Sequence, residues 1–166
     1  MRFTKRKHSA NAVAAELARI ALQLSEDHYT AISQVASELS VPVGKVETEF
    51  RHFLVYMVET VVQTVSGECE AGDSLVSAYR RAITDSAAGK GYGVGFWQEQ
   101  ERRTPTYNAA WKDPRGVGPG VAMSSALAGQ IRTENDIYPV SLLAVYGTNL
   151  LTPLTQYLRG IRIVSP

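Results

Sequence analysis

Apolar side chains in this chain return every three or four residues, and no stretch alternates with the period of two that a half-buried strand requires. That spacing limits the chain to helices packed on helices. From Ala10 to Leu24 the stripe is Val13, Leu17, Ile20, Ala21 and Leu24, and Ser9 can cap its start. Thr30 can open a second, short helix with Ile32, Val35, Ala36 and Leu39 on its inner side. Pro42 lacks an N–H and fixes its φ, so it can begin a helix but not continue one. Val41-Pro42-Val43 therefore reads as a tight turn into a third helix carrying Val46 and Phe50, which is a helix-turn-helix arrangement.

Phe53, Leu54, Met57, Val58, Val61, Val62 and Val65 mark a fourth helix, closed by Ser66-Gly67. The expected fold is all-α: residues 1–52 form a helix-turn-helix three-helix unit with a basic arm, and residues 53–166 a second helical domain, to which the family resemblance given below assigns ligand binding and dimerisation. In that second part Asp73-Ser74 can cap a fifth helix bearing Leu75, Val76, Tyr79, Ala82 and Ile83. Phe96 to Gly120, with three prolines, reads as short helices and loops. Helical spacing resumes from Val121 to Ile131 and from Ile137 to Leu151, after which Pro153 must kink or restart the helix.

The chain has 166 residues, 45% hydrophobic and 20% charged, enough apolar material for a cooperative core. A net charge of +1 implies no general affinity for polyanions, so any nucleic-acid surface must be local. Arg2, Lys5, Arg6 and Lys7 supply one such local excess, with no acid among the first seven residues. Cys69 is the single cysteine and has no disulfide partner within the chain, which points to a reducing compartment. The N-terminal basic residues precede no apolar run, so a cytoplasmic protein is expected. Ile137 to Leu158 carries no charge, but its Pro, Ser, Thr, Asn and Gln content is too polar for lipid, and no membrane partner is expected.

Catalysis finds little support. His8, His28 and His52 fall in the arm, an inter-helix turn and the helix-turn-helix unit, with no triad-like arrangement around any of them. The glycines from Gly89 to Gly95 follow a helix and lack the Lys-Ser/Thr ending of a phosphate loop. An enzyme, a metal site and a bound cofactor are not expected.

DNA binding is better supported. A recognition helix needs a short polar face for the major groove, held by apolar residues behind it. Lys45 and Thr48 can form that face with Val46 and Phe50 as anchors, Arg51 and His52 can reach phosphate, and Thr30, Val43 and Gly44 lie at the helix starts. Arg2, Lys5, Arg6 and Lys7 can enter a neighbouring minor groove or follow the backbone. Spacing alone fits an ordinary helical hairpin with a solvated basic tail equally well.

The run AVAAELARIALQLSEDHYTAISQVASELSVPVGKVETEFRHFLVYMVETVV, with Tyr29, Thr30, Gly44 and Phe50 in register, resembles the TetR family of bacterial transcriptional regulators. VAMSSALAGQIRTENDIYPVSLLAVYGTNLLTPL is similar to the family's penultimate region. The resemblance implies an all-helical homodimer that binds a pseudo-palindromic double-stranded DNA operator and is released by a small-molecule effector. The chain departs from the family at Glu47 and Glu49, where an aromatic and a histidine are usual, and at Phe53, where a lysine is usual. These departures carry the alternative of a TetR-like fold whose DNA readout is lost or altered, acting as a ligand-binding or protein-interaction module.

Tyr79, Tyr92, Phe96, Trp97, Tyr107 and Trp111 cluster in the middle of the chain and are candidates to line a pocket for a largely apolar ligand. The last long apolar segment has two sides that require burial, one of them in a partner subunit, and Leu142, Leu143, Tyr146, Leu150 and Leu154 are the candidate dimer contacts.

Overall fold

The computed structural model of the protein describes residues 6–67, 70–86, 94–112, 119–131 and 137–164. The chain enters as a short strand, β1 (Arg6–Ser9), and continues through α1 (Ala10–Asp27), α2 (Tyr29–Glu38), α3 (Val43–Ser66) and α4 (Glu70–Ser86). There follow α5 (Val94–Lys112), α6 (Pro119–Ile131), α7 (Ile137–Asn149), α8 (Leu151–Gly160) and a closing strand, β2 (Ile161–Val164). The protein is overwhelmingly helical, as the apolar spacing predicts. Among the described residues no helix is long and apolar enough to cross a membrane.

Local signals set several boundaries. The Ser9 hydroxyl accepts from the Ala12 N–H at 3.2 Å, the N-cap expected for α1. At the end of α2, Ser40 takes φ 52°, the left-handed conformation that lets the Val41 N–H reach back to the Ala36 carbonyl at 3.0 Å. Gly67 closes α3 with φ 68°. The helical run after α6 breaks between Asn149 and Leu151, so Pro153 falls in the first turn of α8, where its missing N–H costs nothing.

Three expectations are corrected. The third and fourth helices are one continuous helix of 24 residues, about 36 Å long at 1.5 Å per residue. No breaker stands between Phe50 and Phe53, so nothing ends the helix there, and the boundary expected after residue 52 falls inside it. Phe96 to Lys112 is likewise helical throughout despite Pro105, which sits inside α5. Finally, β1 and β2 pair in parallel, Arg6 opposite Ile161 through Ser9 opposite Val164. Strands of four residues are too short to betray their period, and these two lie at opposite ends of the sequence.

α3 is the axis of the molecule. From His52 to Val62 every residue is buried, so neighbours surround the helix on all sides. Its C-terminal half, through Val55, Val58, Val61 and Val62, packs with α1, with Leu75, Tyr79 and Ile83 of α4, and with Leu154 and Leu158 of α8. Its N-terminal half, through Val46, Phe50, Phe53, Leu54 and Met57, packs with α2, Tyr107 of α5, Met123 and Leu127 of α6, and Val140 and Leu143 of α7. Two hydrophobic clusters thus share one helix.

Candidate nucleic-acid interface

α2 and α3 are joined by the four residues Leu39-Ser40-Val41-Pro42. Ile32, Val35, Ala36, Val46 and Phe50 bury the inner sides of both helices. The outer side of α3 presents Gly44, Lys45 and Thr48, all exposed, and Thr30 is exposed on α2. Val43 is half-buried. Pro42 has no side chain able to cap α3, and His28 makes no side-chain cap for α2. Both helices therefore begin with N–H groups that no side-chain cap satisfies, a setting suited to phosphate oxygens.

The two glutamates have different surroundings. Glu49 turns inward and is 5% exposed, meeting the equally buried Arg103 of α5 in a two-pronged ion pair with N···O distances of 2.6 and 2.5 Å. Arg103 also donates to the Glu99 carboxylate at 2.5 Å and to the Glu99 carbonyl at 2.9 Å. The bond to Glu49, followed by that to Glu99, raises the Arg103 pKa above its ordinary value against the opposing effect of burial. Arg102 and then Arg103 hold the Glu99 carboxyl down at about 2. Glu47 stays near the surface but pairs with Arg51 one turn along. Neither acid is left as an uncompensated charge beside Lys45.

Not every candidate residue faces outward. His52 is 2% exposed and cannot reach phosphate as placed. Its Nδ1 lies 2.8 Å from Gln100 Oε1, an oxygen that can only accept, so Nδ1 carries the proton; its ring stacks on Phe96 with centroids 4.1 Å apart. Burial lowers the His52 pKa and favours the neutral ring. The packing of α3 against α5 brings His52 inward, and that packing depends on Gln100 and Arg103, which lie 48 and 54 residues downstream of their partners. Arg51 is half-buried and held by Glu47.

The basic arm lies elsewhere. Arg2 and Lys5 fall outside the described residues, and for Arg6 only the backbone is described. Lys7 is exposed on β1, which pairs with β2 near Val65 and Ser66, at the opposite end of α3 from Lys45. About 20 residues of helix, or some 30 Å, intervene. The arm as paired here does not sit beside the groove that the first turns of α3 would enter.

The aromatic candidates are divided between the two clusters. Tyr79 is fully buried in the first, with Phe96 and Trp97 half-buried against it. Tyr107 is fully buried in the second, with ring centroids 5.8 Å from Phe53 and 5.1 Å from Tyr56, and Trp111 packs on the same cluster. Tyr92 is outside the described residues. Trp97 donates to the Thr84 hydroxyl at 2.9 Å and lies under the Arg80 guanidinium, which is itself paired with buried Glu59 at 2.7 Å. Neither the cleft between α1 and α8 nor that between α2 and α7 is lined by any of the six aromatics. The first of these, about 260 Å³, is lined by Glu16, Ile20, Leu150, Pro153, Leu154 and Tyr157.

The expected dimer contacts are also divided. Leu143 and Leu154 are buried in the second and first clusters of their own chain, and Tyr146 and Leu150 are half-buried. Tyr146 is spent partly on His28, with centroids 3.9 Å apart. Leu142 is 40% exposed, and Val145, three residues along α7, is 47% exposed. Together with Val35 and Pro139 they line a cleft of about 300 Å³ between α2 and α7. No protein-family model, no curated protein and no solved structure matches this chain.

Proposed function

We propose that the protein is a TetR-like helix-turn-helix regulator, probing double-stranded DNA with the outer side of the first turns of α3. The observation that carries this reading is the internal neutralisation of its acids. Glu49 is paired with Arg103 and Glu47 with Arg51, which leaves Gly44, Lys45 and Thr48 as the exposed face. Lys45 and Thr48 read base edges, and the uncapped starts of α2 and α3 meet phosphate. A homodimer supplies two such helices for a pseudo-palindromic site, and the exposed Leu142 and Val145 of α7 supply the contact. A small apolar effector fits the cleft between α1 and α8, beside the α7–α8 junction.

Selection from a randomised duplex pool, followed by binding measurements on the enriched sequence, tests this. Enrichment of an inverted repeat is expected, and the double change Lys45→Ala and Thr48→Ala should reduce discrimination against a scrambled duplex about tenfold or more. A pool that shows no enrichment would overturn it.

One observation favours a second reading, an interaction module without DNA readout. With Arg51 engaged by Glu47 and His52 buried, Lys45 is the only exposed cation between residues 29 and 53. That reading gains if copies associate through α7 while no duplex is selected.

A further inference from the structure

The parallel pairing of β1 with β2 places cations from both ends of the chain on one small surface. Residues 1–9 contain four Lys or Arg and no acid, and the stretch from Tyr157 to Pro166 adds Arg159 and Arg162, again with no acid. Lys7 and Arg162 are register partners, both exposed, and so stand on the same outer face of the ribbon. Ile161 and Ile163 turn the other way and pack on the first hydrophobic cluster, which fixes the orientation of that face. Arg159, in the last turn of α8, is exposed beside the ribbon.

Lys7, Arg159 and Arg162 make no ion pair among the described residues, as is also true of Lys45, Arg81 and Lys112; what sets the ribbon apart is that Lys7 and Arg162 stand opposite one another with Arg159 beside them. Like charges directly opposite one another across two strands destabilise the pairing. A two-stranded ribbon is marginal to begin with, so Lys7 beside Arg162 is an arrangement that a bound anion would relieve.

We propose that this ribbon is a second, sequence-independent contact for the phosphate backbone of nucleic acid, distinct from the helix-turn-helix face and about 30 Å from it along α3. Phosphate is favoured over a bilayer because membrane adsorption draws on exposed apolar side chains as well as charge. Among the residues whose side chains are described, the large exposed hydrophobics, Tyr29, Val121, Leu142 and Val145, belong to α2, α6 and α7, and none lies on the ribbon. Nucleic acid as the partner rests on the reading given above, but the contact does not require that α3 discriminate among sequences.

Binding of the full-length protein to a duplex of unrelated sequence, measured by fluorescence anisotropy from low to moderate salt, tests it. The triple variant Lys7→Gln, Arg159→Gln and Arg162→Gln should lower the slope of log affinity against log salt by about 2 to 3, since each phosphate contact contributes about 0.9. Arg159→Gln alone, outside the strand pairing, should lower it by about one, which keeps the test valid if the triple variant loses the ribbon. Lys45→Ala with Thr48→Ala should leave the slope on unrelated duplex within about one of the parent while abolishing preference for any selected sequence. An unchanged slope in both ribbon variants overturns the proposal. So does binding to phosphatidylserine-containing vesicles with none to duplex. Loss of sequence preference with an intact ribbon slope would instead remove the helix-turn-helix reading and leave this one standing.

Discussion

Gly147 of α7 lies against the ring of Phe53 in α3 with no room for a side chain between them. A Cβ at position 147 would stand 3.0 Å from Phe53 Cδ1 and closer still to Cε1. The close approach brings Val140, Leu143 and Ala144 onto the second cluster. The apolar stripe of α7 places Gly147 on its buried side, but only the structure shows which ring it must admit.

Gly147→Ala should therefore destabilise the protein by about 1–3 kcal/mol, the usual range for overpacking, even though alanine is the better helix former by about 1 kcal/mol. Phe53→Leu in the same chain should recover part of the loss by removing the obstructing ring. Urea unfolding of the two single variants and the double variant measures this; additive losses would show that Phe53 is not the obstruction.

Removing Arg103 should cost more than removing its partner's charge. Arg103→Met leaves Glu49 buried without its counter-charge, a loss of about 3–5 kcal/mol. Glu49→Gln retains a hydrogen-bonding side chain, and Arg103 keeps the Glu99 carboxylate and carbonyl, so the loss should be smaller. The double variant Glu49→Leu with Arg103→Met should be nearer to the parent than Arg103→Met alone. Equal losses for the two single variants, measured by denaturant unfolding, would contradict the inward placement of Glu49.

Burial holds the His52 pKa below 6.5, so the unfolded chain takes up a proton there before the folded one does. The stability that depends on neutral His52 is complete above about 6.5 and is lost as pH falls towards the lower folded value. Melting temperatures between about pH 7.5 and pH 5 should decline more steeply for the parent than for His52→Gln. Parallel curves would show that the imidazole does not remain neutral in the fold.

A fragment ending at residue 52 should not fold. It would retain Ile32, Val35, Val46 and Phe50 but lose Phe53, Leu54 and Met57, with which they pack on α3 itself. Circular dichroism of residues 1–52 should show far less helix than the same residues contribute to the whole chain. Cooperative melting of the fragment would restore the boundary expected from sequence.

Where local chemistry decides the outcome, the sequence is legible. The Ser9 cap, the Pro42 turn, the Gly67 terminus and the interruption near Pro153 all depend on a residue and its near neighbours. What escaped depends on distant partners. Glu49 and His52 look like surface polar residues until α5 brings Arg103 and Gln100 against them. The β1–β2 pairing joins segments about 155 residues apart and bears no local mark. The aromatics cluster in sequence, but successive turns of α5 point towards different halves of the molecule, so proximity along the chain does not gather them.

The unbroken run from Val43 to Ser66 also governs how the molecule can respond to a bound partner. A hinge at residue 52 would let each half adjust on its own; a stiff rod belonging to both halves allows no such independence. A tilt of about 5° in this rod, pivoting where Val58 and Val62 pack in the first cluster, would carry Lys45, about 20 to 25 Å away along the helix, through about 2 Å.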